Sequence, residues 1–161
     1  MMTATLTAPP EELRQPTPLD EFESMLATLP PIEFPLVHSF TPGIYIRQCV
    51  LPAGSLLTSM EHKTEHHFII VSGTVDVISA FERVTYVGPY MGVTLPGTKR
   101  VLYAHTDTLW ITIHANPENL TDPDEIGARI LEPNETFNGW RSGNSPAIGY
   151  INGIEPKEKT S

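Results

Sequence analysis

The stretch that decides the fold is residues 54–73, GSLLTSMEHKTEHHFIIVSG. Apolar, β-branched runs (SLLTSM and HHFIIVSG) stand at either end, and a polar block rich in histidine and glutamate joins them. Three of the chain's six histidines, His62, His66 and His67, fall in that block beside Glu61 and Glu65. His62 to His66 reads H-x-x-E-H, a metalloprotease pattern that needs a helix to bring both imidazoles onto one face. Here it runs straight into FIIVSG, a strand sequence. The block is therefore expected to be a connection between strands, and the protease reading is set aside.

The same character continues outward. GIYIRQCVL, TVDVISA, ERVTYVG, YMGVTL, KRVLYAH and TLWITIHA are further short runs rich in Val, Ile, Thr, Tyr and Phe, punctuated by Gly73, Gly88-Pro89, Pro96-Gly97 and Asp107. About eight strands with frequent turns predict an all-β sandwich or barrel, here over residues 41–116. No helical period separates the runs, which argues against a parallel βαβ sheet.

The flanks differ from this centre. Residues 1–40 are acidic and proline-rich and read as an extended N-terminal arm with one short helix, TPLDEFESMLATLPP. Thr17 is its expected N-cap, Pro18 suits its first position, and Asp20 completes a capping-box pattern. Leu19, Phe22, Met25, Leu26 and Leu29 make an apolar stripe, and Pro30 and Pro31 end the helix. Residues 117–161 begin with a second short helix, NLTDPDEIGARILEP, capped by Thr121 or Asp122. An extended C-terminal arm follows. It carries Phe137, Trp140, Ile148 and Tyr150, too many large apolar groups for a purely disordered tail.

The net charge is −9, yet residues 41–114 hold five acids and five bases, so the excess acid lies in the two ends. With no Lys/Arg stripe, nucleic acid is not an expected partner. No window approaches 18 apolar residues, so no membrane span is expected. The start has no basic end followed by an apolar run, and the one cysteine, Cys49, excludes an internal disulfide; a reducing cytoplasmic setting is the default expectation. Cys49 itself reads as a small buried apolar residue rather than a nucleophile.

The spacing in the opening stretch resembles the first motif of the cupin family: Gly54, five residues, Met60-Glu61-His62, three residues, His66, six residues, Gly73. A second element, GVTLPGTKRVLYAH, carries the family's Pro-Gly turn at Pro96-Gly97. The resemblance covers roughly residues 43–114 and implies a small double-sheet jelly roll. It also implies a metal centre in which two histidines and a glutamate of the first motif meet one later histidine. This chain departs from that pattern. Met60 stands for one histidine, His66 for the glutamate, and Arg100 for the last histidine. Thioether and guanidinium are poor company for a ferrous or manganous ion. His62 and His66 remain candidate ligands of a divalent transition metal, with a third ligand to come from Glu61, Glu65, His105 or His114. The competing expectation is that both line a former metal site, that Arg100 pairs with Glu61 or Glu65, and that His114 caps a strand end.

The segment LPGTKRVLYAHTDTLWITIHANPE is also similar to small cupin-like proteins of tailed bacteriophages and prophages. That likeness implies a non-catalytic barrel in a larger assembly, such as a capsid-decorating or head-tail accessory protein of the virion. Leu19, Phe22, Leu26, Phe137, Trp140 and Tyr150 would then grip further copies or other virion subunits, and the location would be the virion rather than the cytoplasm. The alternatives are a metal-dependent cupin enzyme, such as a dioxygenase or isomerase, and a module that binds a small anionic ligand. Both place His62, His66, Arg100, Glu61 and His114 around one pocket, with Arg100 holding the anion by its planar fork.

Overall fold

All eight β-rich runs are strands. In chain order the elements are helix α1 (Pro18–Leu26), β1 (Leu36–Thr41), β2 (Gly43–Leu51), β3 (Ser55–Thr58), β4 (His66–Ser72), β5 (Thr74–Ile78), β6 (Arg83–Val87), β7 (Tyr90–Thr94), β8 (Val101–Ala104), β9 (Thr108–Asn116), helix α2 (Pro123–Ile130) and β10 (Gly149–Tyr150). The computed structural model describes residues 17–29, 34–79 and 82–133, together with the backbone of 149–150. Two antiparallel sheets of five strands face each other, in the orders β1-β2-β9-β4-β7 and β10-β3-β8-β5-β6. This is the expected two-sheet jelly roll.

Alternation of period two puts every second side chain between the sheets. Cys49 and Leu51 of β2, Phe68 and Ile70 of β4, and Trp110 of β9 meet Leu57, Val75, Val77, Leu102 and Ala104 of the other sheet. The Phe68 and Trp110 rings stack with centroids 4.9 Å apart. Each large side chain buried this way contributes roughly 1.5–3 kcal/mol. Gly73 makes the tight β4–β5 turn at φ +99°; a Cβ there would sit 2.5 Å from the Asp107 carbonyl oxygen.

Strand β1 is the one described strand of the barrel sheets, apart from the two-residue β10, that the β-rich runs do not contain. It pairs with β2 along its whole length, from Leu36 opposite Cys49 to Thr41 opposite Ile44. Prolines just upstream obscure its alternation in the sequence.

Helix α1 starts where its cap places it. The Thr17 hydroxyl accepts from the Asp20 amide, and the Asp20 carboxylate accepts from the Thr17 amide. Its apolar stripe lies on the chain's own barrel: Leu26 is buried with Leu56 and Val101, and Leu19 and Phe22 pack against that cluster. Glu23, also buried, accepts from Lys99 Nζ at 2.5 Å and from the Thr58 hydroxyl at 3.0 Å.

Helix α2 is capped by Asp122, whose carboxylate accepts from the Asp124 amide. It buries Ile126 and Ile130, with Leu131 just beyond, against Tyr45 and Met60. The chain after it forms a short antiparallel ribbon with the histidine block. Lys63 donates to the Ile130 carbonyl at 2.7 Å, Glu132 donates to the Glu61 carbonyl at 3.0 Å, and His62 bridges to Leu131. Phe137 and Trp140 lie outside the described residues, and Tyr150 is described only through its backbone pairing with Ser55.

Candidate metal centre

Three elements converge at the end of the barrel that α2 closes. β4 begins with His66, whose side chain points inward by the alternation that buries Phe68 and Ile70. β9 presents Trp110, Thr112 and His114 on its inner face. His67 pairs with Ile113 across the β4–β9 ladder, so the same register one step on brings His66 level with His114. The connection that precedes β4, pinned by the ribbon to Leu131, delivers His62.

All three imidazoles are buried, at 6%, 6% and 2% exposure for His62, His66 and His114. Their ring centroids lie 4.2 to 5.3 Å apart. One ligand nitrogen from each falls within 4.8 Å of the other two. Two nitrogens bound to one zinc-sized ion at ~2.0–2.1 Å stand at most ~4.2 Å apart. Small ring rotations therefore suffice to close the set.

Hydrogen bonds select the tautomers. A carbonyl oxygen only accepts, so His62 donates through Nδ1 to the Met60 carbonyl at 3.0 Å and turns an Nε2 lone pair toward the cluster. His114 Nε2 lies 2.9 Å from the Thr112 hydroxyl; donation there leaves the lone pair on Nδ1. Burial is the main force on their protonation. It pushes His62 down to about 3, with His66, Arg47 and Arg100 adding to the effect against the opposing Met60 bond. It pushes His114 down to about 2, reinforced by the two other imidazoles and Arg47, and it lowers His66 as well. At neutral pH all three are in the neutral form that binds metals. Three neutral nitrogens at this spacing fit a divalent ion that favours imidazole, of the zinc, nickel, copper or ferrous kind.

The remaining expected site residues go elsewhere. His114 does not cap a strand end, since its ring is enclosed with the other two. The inward face it shares with Trp110 is the signal in the sequence that points to this placement. Glu61 and Glu65 neither join the cluster nor pair with Arg100. Glu61 is held through its backbone by the ribbon, and His105 pairs with Asp76 at 2.9 Å. His67 faces outward. Met60 packs under α2 with Tyr45 and Ile126. The changes at positions 60 and 100 thus do not dismantle the centre, because His114 supplies the third imidazole.

A cleft of about 750 Å³ of empty space, its open mouth included, reaches His62 and His66 from the barrel interior. Leu51, Leu57, Leu102 and Trp110 form its walls, Arg47 and Arg100 also face it, and no Asp or Glu lines it. Arg100 lies with its guanidinium carbon 5.5 Å from the Phe68 ring centroid.

No protein-family model and no curated relative matches the sequence. Solved structures do. A salicylate 1,2-dioxygenase from Pseudaminobacter salicylatoxidans is 14% identical with a TM-score of 0.50, covering 61% of this chain and 29% of its own. A protein of Shewanella frigidimarina containing a cupin-2 domain is 12% identical (TM-score 0.45), covering 59% of this chain and 92% of that one. The cupin-2 domain of an XRE-family transcriptional regulator from Enterobacter cloacae is 15% identical (TM-score 0.45), covering 53% and 99%. The fold is cupin-like. At these identities the likeness speaks to the fold alone. Within this cupin-like barrel, the histidine cluster and its cleft are properties of the chain's own residues. Among the described residues, no helix is long and apolar enough to cross a membrane.

Proposed function

We propose that this chain is a metal-binding cupin that uses the metal to engage a small molecule in its cleft. The observation that carries the reading is the convergence of three buried imidazoles from separate elements, two of which, His62 and His66, line an open cleft. Burying three like polar rings together has a desolvation cost and gives no mutual charge pairing. An ion shared between them offsets that cost. His62, His66 and His114 would hold it, and a bound ion would supply Lewis acidity and coordination positions open to the cleft.

The chain's own residues do the rest. The Met60 carbonyl fixes the His62 tautomer, and Thr112 orients His114. Helix α2 and Leu131 cover Tyr45 and Met60 beside the cluster, where Tyr45 stacks on His114 and Leu131 bridges to His62.

The assembly reading has less support. It rests on arms of which much lies outside the described residues, and Leu19, Phe22 and Leu26 cover the chain's own barrel. Elemental analysis of the purified full chain tests the metal reading. Near-stoichiometric zinc, nickel, copper or iron is expected, falling to background in His62→Ala and His114→Ala. A chain that takes up none of these ions after dialysis against each would overturn it.

A further inference from the structure

We propose that the cleft's ligand is a small organic carboxylate with an apolar, ring-sized body, clamped by Arg100. This deepens the metal-site reading, on which it rests for the position of the cleft floor. Two permanent cations, Arg47 and Arg100, face the cleft, and no carboxylate lines it. A buried or half-buried guanidinium stays charged, so it needs an anion or water. Among the described residues, the Arg100 guanidinium has no ion-pair partner; Glu82 and Tyr86 act on it only through space, from the side of a second cleft that Arg100 also lines.

The guanidinium is nevertheless positioned. Arg100 donates its amide to the Ser59 hydroxyl at 3.0 Å, Ser59 donates its amide back to the Arg100 carbonyl at 2.8 Å, and the planar head lies against Phe68. The guanidinium carbon sits 5.5 Å from the Phe68 ring centroid, a cation–π contact that uses none of its N–H donors and leaves them for a bidentate carboxylate pair. Below it, Leu51, Leu57, Leu102 and Trp110 offer hydrocarbon and an indole face, which a bare inorganic anion cannot use and a ring can.

Titration of the full chain with benzoate tests this, with benzamide as the uncharged isostere and inorganic phosphate as the bare anion. Benzoate is expected to bind at least about tenfold more tightly than either, the advantage a charge-assisted pair confers. Arg100→Gln should erase the benzoate advantage while melting temperature and metal content stay as in the parent, and Arg100→Lys should restore part of it. Equal binding of benzoate and benzamide, a preference for phosphate, or an unaffected Arg100→Gln protein would overturn the proposal. Metal uptake is read separately on the same samples. Benzoate selectivity without metal would sink only the metal reading, and metal without selectivity only this one.

Discussion

Two polar clusters form around buried groups in this barrel, and they are built on opposite principles. In the first, Asp76 of β5 is 1% exposed and accepts from the Thr85 hydroxyl at 2.6 Å, from Arg83 through both Nε and an Nη, and pairs with His105 at 2.9 Å. One acceptor meets three donors, and the network closes on itself. In the second, His62, His66 and His114 bring three groups of the same kind together, each able to present a lone pair inward. A cluster of unlike groups pairs charges within the protein; a cluster of like groups pairs none, and that difference separates architecture from the metal site proposed above.

The largest expected effect strikes the second cluster. Removing one imidazole by His114→Ala should weaken metal binding by more than ~100-fold, since groups that merely orient ligands are worth ~10–100-fold; equilibrium dialysis checks it. Next comes the first cluster. Asp76→Ala leaves three donors without their acceptor, and chemical denaturation should show a loss of about 2 kcal/mol.

The pH dependence of stability sharpens the contrast. Burial alone would raise the Asp76 carboxyl, but hydrogen bonds from Thr85, Arg83 and His105 prevail and hold it at about 2. Its folded pKa lies below the unfolded value of ~3.9, so its stabilisation is present above pH ~4 and is lost as pH falls toward 2. Melting temperatures between pH 5 and pH 2.5 should therefore fall less steeply in Asp76→Asn than in the parent. The smallest effect is the most discriminating. His114→Phe should leave the metal-free protein within about 1 kcal/mol of the parent, or more stable, because an apolar ring replaces a buried polar one of similar size. A large loss of metal-free stability would place the histidines with Asp76, as architecture.

The strands of the barrel were legible because period-two alternation and turn residues are local signals, and eight β-rich runs matched eight strands. β1 escaped because Leu36–Thr41 follows a proline-rich stretch, and only its pairing with β2 makes it a strand. Helix α1 was legible from Thr17, Pro18 and Asp20. Its destination was not, because an amphipathic stripe demands a cover without naming it, and the anchors Thr58 and Lys99 lie far along the chain. His62 and His66 stood out by their spacing. The choice of His114 over Glu61, Glu65 and His105 as the third member did not, because it depends on register across β4 and β9 rather than on distance in sequence. The partners of Asp76 were equally hidden: Thr85 faces it only through the β5–β6 ladder.

The ribbon between Glu61–Lys63 and Ile130–Glu132 has a consequence for biogenesis. A ribosome emits all three histidines before it emits the helix that walls them in. A growing chain stopped short of Leu131 has its imidazoles but lacks their rear wall, leaving them wet and loosely arranged. A metal held as proposed would therefore meet its finished site only after α2 has been made and has docked.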